Sequence, residues 1–260
     1  EDGLECKLFS RSSRGVVLTD EGRLLYDHVS EAFEALNEGE EKLKRSIELG
    51  VGQLKIGVSS TLCKYMLLPY LKEFIHRNPH ISISIECQST NETLKLLDDD
   101  KIDIGLIGKP ASLKTFNFYY LDNIEDIFVT TKDYLRNLSA RGVKKSEILQ
   151  NSTLMLLDKG NMTRKYIDDY LQENQIHVKD SIDISNMDLL IDFAKIGVGV
   201  ACVIKSIVSK ELADGTLIEI PLGIPIHKRE VGFAYKESSK LSTSLQTFIK
   251  FYEGYTPEDF

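Results

Sequence analysis

Four short clusters of hydroxyl and amide side chains are the best candidates for chemistry in this sequence: Ser59-Ser60-Thr61, Ser89-Thr90-Asn91, Gly160-Asn161-Met162-Thr163-Arg164 and Ser185-Asn186. Each follows an apolar stretch that reads as a strand and precedes residues with helical spacing, so each marks a helix start. A helix start offers unpaired backbone N–H groups and the positive end of the helix dipole, and Ser or Thr hydroxyls add donors. The chemistry on offer is therefore recognition of an anion or carboxylate. The same residue types are favoured N-caps, worth about 1 kcal/mol each, and one cluster alone says no more than that. Four clusters behind four strands fit the crevice at the strand ends of an open α/β sheet.

Two cations lie close to these clusters. Arg164 could neutralise a carboxylate, but Asp168 stands at i+4 on the same helix, and the structural pair is the favoured reading. Lys109, just past a strand from Ile102 to Ile107, is another anion partner, with solvent as its ordinary fate. The cysteines, Cys6, Cys63, Cys87 and Cys202, show no C-x-x-C spacing and default to thiols in a reducing compartment. Cys63 lies near a helix start, where a thiol pKa falls, which would suit a thiol sensor, although no second cysteine is near it in sequence. Cys87 and Cys202 sit in apolar strands and read as core. His28, His76, His80, His177 and His227 form no metal-spaced set, so no metal is expected. Nucleophile-elbow, phosphate-loop, zinc-protease and dinucleotide motifs are all missing, which argues against an enzyme and against a cofactor.

The elements that must position these residues can be read along the chain. With 260 residues, 42% hydrophobic and 28% charged, the composition supports more than one compact unit. No apolar run reaches the roughly 18 to 20 residues of a membrane span, and Glu1-Asp2-Gly3 lacks the start of a secretory signal; no membrane association and a cytoplasmic location are expected. A net charge of −8 argues against coating nucleic acid nonspecifically, so any DNA contact must come from a local patch. Such a patch exists between Leu4 and Leu18, a short basic hairpin carrying Lys7, Arg11 and Arg14.

Thr19 then N-caps a long helix, and Gly22, Leu25, Val29, Ala32, Leu36, Gly39, Leu43 and Ser46 alternate steps of three and four like a coiled-coil seam. From Leu54 onward the pattern alternates: strands at 54–58, 81–87 and 102–107 with helices at 65–77 and 90–99 between them. A second series follows, with strands at 127–129, 153–157, 181–184, 198–204, 217–220 and 231–235 and helices at 163–174, 187–195 and near 207–212. A closing helix spans 241–252. Two α/β lobes joined by two crossings, with a hinge and a cleft, are implied.

The run Leu8-Phe9-x-Arg11-x-x-Arg14-Gly15-Val16-x-Leu18-Thr19-x-Glu21-Gly22-x-x-Leu25 resembles the segment that closes the winged helix-turn-helix of LysR-type transcription regulators and opens their linker helix. Leu67-Leu68-Pro69-x-Leu71-x-x-Phe74-x-x-x-x-Pro79 and Leu97-x-x-x-x-Ile102-Asp103-Ile104-Gly105-Leu106 resemble the first lobe of that family's effector domain, and Ile196-Gly197-Val198-Gly199-Val200 resembles a glycine turn of the second. The resemblance implies an α/β, two-lobed, periplasmic-binding-protein-like (type 2) effector domain behind a winged-helix remnant and a linker helix. Its boundaries are 1–18 for the wing, 19–50 for the dimerising helix, 53–126 and 236–260 for lobe I, and 127–235 for lobe II. The helix-turn-helix itself would precede Glu1.

It further implies promoter binding as a homodimer or homotetramer, gated by a small-molecule effector that the helix starts suggest is anionic. Arg11 and Arg14 would then face DNA, and Ser60, Thr61, Thr90, Asn161, Thr163, Ser185 and Asn186 would face the effector. In one branch of the family the third cluster reads glycine, serine, glycine, threonine, arginine; here Asn161 and Met162 replace the small residues, which would make that half-site tighter or more apolar. Gly108 stands where that branch often has an acid, which makes a cationic effector a poorer fit. The competing reading is a solute-binding component of a transport system, which shares the fold but has no use for a heptad helix behind a basic hairpin.

Overall fold

The computed structural model describes residues 1, 3–12, 15–48, 52–110, 112, 115–236 and 241–255. They form two compact units, Glu1–Gly52 and Gln53–Phe260. In the first, strands β1 (Phe9–Ser12) and β2 (Gly15–Leu18) pair antiparallel, with Phe9 opposite Leu18 and Arg11 opposite Val16. Arg11 is exposed on this hairpin, and Arg14 lies outside the described residues. Helix α1 (Asp20–Glu48) starts on Thr19, whose hydroxyl accepts from the Gly22 N–H at 2.9 Å and donates to the Lys7 carbonyl at 2.6 Å.

Gly22 is buried, and a Cβ there would stand 1.9 Å from the Leu8 carbonyl oxygen. The hairpin base thus rests directly on the first helical turn, so Gly22 anchors the hairpin where the heptad spacing had placed it in the seam. Further along, Val29 and Leu36 are 45% and 66% exposed.

The second unit opens with β3 (Gly52–Val58), a short helix α2 (Ser60–Leu62), a π-helical turn (Cys63–Leu67) and α3 (Leu68–Arg77). The helical run thus begins at Ser60, five residues before the start that periodicity suggests, because Ser59 caps it by accepting the Leu62 N–H at 3.3 Å. Next come β4 (Ile81–Cys87), α4 (Thr90–Asp98), β5 (Ile104–Gly108) and β6 (Phe116–Ile124). Ser89 and Glu92 close a capping box on α4, which fixes where that helix starts.

After β7 (Asp126–Thr130) and α5 (Lys132–Ala140), a 3-10 turn (Lys145–Glu147) leads into α6 (Ile148–Asn151) and β8 (Thr153–Leu157). Helix α7 (Met162–Glu173), β9 (Asp180–Ile184), α8 (Met187–Lys195) and β10 (Val200–Ile204) continue the alternation. The chain then runs through a 3-10 turn (Lys205–Val208), α9 (Ser209–Asp214), β11 (Ile218–Glu219), β12 (Arg229–Lys236) and α10 (Thr243–Glu253).

Two five-stranded sheets result, ordered β4-β3-β5-β12-β6 and β11-β7-β10-β8-β9. Both are mixed: β3 runs parallel to β5 and β8 runs parallel to both β9 and β10, while β12 is antiparallel to β5 and β6 and β7 is antiparallel to β10. Residues 229–235, expected in lobe II, therefore belong to the first sheet. Their apolar alternation reads correctly as a strand but carries no information on which sheet it joins.

The first lobe closes around an aromatic cluster: Phe248 meets Phe74 at 4.9 Å and Phe233 at 5.2 Å between ring centroids, and Tyr252 stacks on Phe233 at 4.7 Å. These rings are within 2% of full burial, so truncating one to Ala would cost about 3–5 kcal/mol. Gly232 sits at a β-bulge in β12, where a Cβ would lie 2.1 Å from the Tyr119 carbonyl of β6. Gly232→Ala should lower unfolding free energy by about 3 kcal/mol through that backbone clash. Urea denaturation checks it, with a reduced midpoint and an unchanged slope expected.

Candidate functional site

The chain leaves the first sheet at Ile124, enters the second at Asp126, and returns to the first at Arg229, which pairs in register with Ile124. The two crossings thus lie side by side. Asp126 is fully buried, and its carboxylate accepts from Arg229 Nε at 2.8 Å and from an Arg229 terminal nitrogen at 2.9 Å, a two-pronged pair. Burial pushes the Asp126 carboxyl up from its ordinary pKa, and the guanidinium opposes that. The same terminal nitrogen donates to Thr163 Oγ1 at 3.2 Å, and the guanidinium lies 5.2 Å from the Tyr166 ring centroid. Beside this pair, Lys228 and Lys205 hold the Glu125 carboxyl below its ordinary pKa.

Above the pair opens a cavity of about 40 Å³ whose wall includes Ser59, Thr61, Ser89, Thr90, Asn161 and Thr163, with Arg229 among the lining groups. The first turns of α2, α4 and α7 therefore converge on one space from both lobes. Met162, Leu62, Ile124 and Ile204 supply its apolar wall, and Gly108 also lines it. Of the residues singled out from sequence, Thr61, Thr90, Asn161 and Thr163 meet here. Asn161 is also the N-cap of α7, accepting the Thr163 N–H at 2.8 Å.

Ser60, Ser185 and Asn186 do not line this cavity. Ser60 is exposed, because successive helical residues point about 100° apart and Thr61 takes the inward direction. Ser185 is exposed as well, and Asn186 accepts the Leu189 N–H at 2.9 Å as the cap of α8. Arg164 is buried in a structural role: it donates to Asp168 at 2.8 Å, to Asp183 at 2.6 Å and to the Leu157 carbonyl at 2.8 Å, tying α7 to β8 and β9. Lys109 pairs with Glu230 on β12.

A family model described as the LysR substrate binding domain matches residues 48–256. The chain belongs to the LysR family of transcription regulators. Among curated LysR-type relatives, it is 24% identical over 252 residues to the uncharacterized HTH-type transcriptional regulator YeiE of Escherichia coli (strain K12), covering 96% of this chain and 83% of the relative. It is likewise 24% identical over 250 residues to the HTH-type transcriptional activator CmpR of Synechocystis sp., covering 94% and 79%. The LysR fold is shared with a full-length OxyR variant of Pseudomonas aeruginosa, with a TM-score of 0.70 at 19% identity over 96% of this chain and 85% of that one. The Synechocystis PCC6803 CcmR regulatory domain, solved in complex with 2-PG, gives 0.66 at 18% identity over 77% and 95%.

In this LysR-family regulator a second cavity of about 190 Å³ adjoins the first, sharing Thr61, Leu62, Ile124 and Ile204 with it. Asp188 in the first turn of α8 accepts from Lys64 Nζ at 2.7 Å and from the Tyr65 hydroxyl at 2.5 Å, a clasp between lobes that holds the Asp188 carboxyl below its ordinary pKa. Sequence reasoning missed Arg229 and Asp126. Both sit beside other charges, at Glu230 and Glu125, just ahead of the apolar stretches at 127–129 and 231–235. They pair across 103 positions, so no local pattern could join them.

Removing Arg229 alone leaves a buried carboxylate, so Arg229→Gln should cost about 3–5 kcal/mol at neutral pH. With its opposing guanidinium gone, the Asp126 pKa rises further in the folded state while the unfolded value is unchanged. Stability of the variant then falls with rising pH over a wider range than the parent's, whose Asp126 pKa is already raised, so its deficit against the parent should shrink as the solution is acidified from neutral pH. Urea titrations at several pH values test this; a pH-independent deficit would assign the loss to packing.

Proposed function

We propose that this regulator binds promoter DNA as a dimer or tetramer and is gated by a small anionic effector held in the inter-lobe cavity. The observation that carries this reading is the convergence of Thr61, Thr90 and Thr163 from three helix starts in two lobes on one space. Oriented amides and hydroxyls favour negative charge. The Arg229–Asp126 pair is neutral as a unit, so an anion is met mainly by those dipoles. At about 40 Å³, several times the roughly 10–15 Å³ that one water needs, the cavity suits an inorganic anion or a short carboxylic acid. CcmR, a similar regulatory domain, was solved with 2-PG, which supports a ligand role for this domain.

A ligand that touches both lobes shifts their arrangement by its differential affinity for each, and the Lys64–Tyr65–Asp188 clasp is the contact it would strengthen or release. On the hairpin, Arg11 supplies a phosphate contact that positions the protein without reading sequence, and Arg14 shares that role by its place in the sequence. Leu25, Val29 and Leu36 form an apolar strip along α1 that suits a second copy of the helix. Exposed Leu68 and Ile75 on α3 and Leu189 and Phe193 on α8 give each lobe a further apolar face for self-association. Regulation of a bacterial promoter places the protein in the cytoplasm. Among the described residues no helix is long and apolar enough to cross a membrane.

Thermal unfolding against sulfate, phosphate and a series of two- to four-carbon acids tests the effector site. A ligand at about 100 times its Kd should stabilise the parent by about 2.7 kcal/mol, roughly 5–10 °C, and Thr61→Ala and Thr163→Ala should abolish the shift. A shift that survives both substitutions would place the ligand elsewhere. Assembly is tested by sedimentation equilibrium: Val29→Lys and Leu36→Lys should each weaken the dimer about tenfold or more, because they put charge into the apolar seam. An unchanged association constant would remove α1 from the interface.

A further inference from the structure

The two cysteines that sequence spacing kept apart meet in the fold. Cys63, half-buried, opens the π-helical turn with its N–H bonded to the Ser59 carbonyl at 2.8 Å. Cys87 ends β4, an edge strand of the first sheet, and is exposed where its apolar surroundings had suggested core. The next residue, Gln88, donates its N–H to the Val58 carbonyl at 2.9 Å, which brings the end of β4 beside the end of β3 and the helix start that follows it. The Cys63 thiol thus lies near enough to Cys87 for the two groups to interact. Thr61 precedes Cys63 by two residues and Thr90 follows Cys87 by three, and both line the cavity.

We propose that Cys63 and Cys87 are a reversible redox dithiol whose disulfide ties the helix start carrying Thr61 to the one carrying Thr90. The disulfide itself is independent of any ligand; its consequence for the cavity rests on the effector reading above. Burial pushes the Cys63 thiol up from its ordinary pKa, and the neighbouring Cys87 sulfur adds to this, so a pKa lowered by the helix start is not what the fold provides. A raised pKa makes Cys63 the slower nucleophile, which suits it to the second, intramolecular step and leaves the first attack on a small disulfide to exposed Cys87.

Exposed Cys87 loses its proton and attacks one sulfur of a low-molecular-weight disulfide. That S–S bond breaks, one small thiolate leaves and takes up the proton, and Cys87 carries a mixed disulfide. Cys63 then attacks the Cys87 sulfur; the Cys63–Cys87 bond forms, and the second small thiolate leaves with the proton that Cys63 gives up. Two protein thiols are oxidised and one small disulfide is reduced to two thiols. The π turn, a local widening of the helix, gives the backbone at Cys63 room for the adjustment that a disulfide geometry requires.

The full chain equilibrated in a graded series of reduced and oxidised glutathione, then alkylated, tests this by intact mass and peptide mapping. The parent should lose two hydrogens, yield a linked Cys63–Cys87 peptide and revert on reduction, whereas Cys63→Ser should stop at a glutathione adduct on Cys87. A parent that also stops at the adduct, or that pairs through Cys6, would overturn the proposal. Amide hydrogen exchange on the oxidised parent should be about tenfold slower across 60–67 and 88–92. Exchange unchanged there would overturn the link to the cavity. Neither readout needs an anion to bind, so failure of the effector reading stays distinguishable.

Discussion

A carboxylate with no exposed surface, Asp126, begins the second lobe, and the guanidinium that answers it, Arg229, begins the strand that leaves that lobe. Removing such an ion from water costs several kcal/mol, which only a well-aligned counter-charge offsets. The two crossings are consequently held in one register, and the hinge is a fixed point around which both sheets are placed. Because Arg229 also donates to Thr163, the hinge and the cavity wall share a side chain. On the proposed reading, a ligand that bonds to Thr163 would compete with or reinforce that contact, coupling binding to hinge geometry through one hydroxyl.

The second lobe–lobe contact is of a different kind. Lys64 and Asp188 are 53% and 49% exposed, and solvent and salt screen pairs of that sort. The Asp188 carboxyl, held low first by Lys64 and then by Tyr65, keeps the clasp closed above the ordinary carboxylate range and releases it as pH falls through its folded value. A buried tie where the chain crosses between sheets and an exposed, screened tie beyond it are the pair of contacts that the proposed gating would use.

How much of this was legible in the sequence depended on range. Strands at 81–87, 153–157 and 181–184 and the helix starts at Thr90 and Thr163 carry local signals, namely apolar alternation and capping side chains, and they stand within one residue of where those signals put them. Strand β6 went unread because Asn117, Asp122 and Asn123 break its alternation on the wet face of an edge strand. Helix α5 is a nine-residue element rich in polar residues, too short for a periodic stripe to emerge. Of the seven side chains picked out by hydroxyl or amide type and helix position, four line the cavity. Direction around the helix excluded Ser60, and the Arg229–Asp126 and Cys63–Cys87 encounters are long-range facts that no local pattern contains.

The position of β12 has a consequence for how the protein comes into being. This strand lies between β5 and β6, inside the first sheet, yet it is made only after residues 126–228 have left the ribosome. The second lobe is one continuous stretch and can fold as soon as it emerges, whereas the first must wait, with a gap between β5 and β6, until its missing strand arrives. During that interval β5 presents buried-type residues Ile104, Leu106 and Ile107 without their partner strand, a surface that chaperones and aggregation compete for. Synthesis past residue 236 is therefore the step that completes the first sheet, and a nascent chain stalled before it carries a finished second lobe beside an unfinished first.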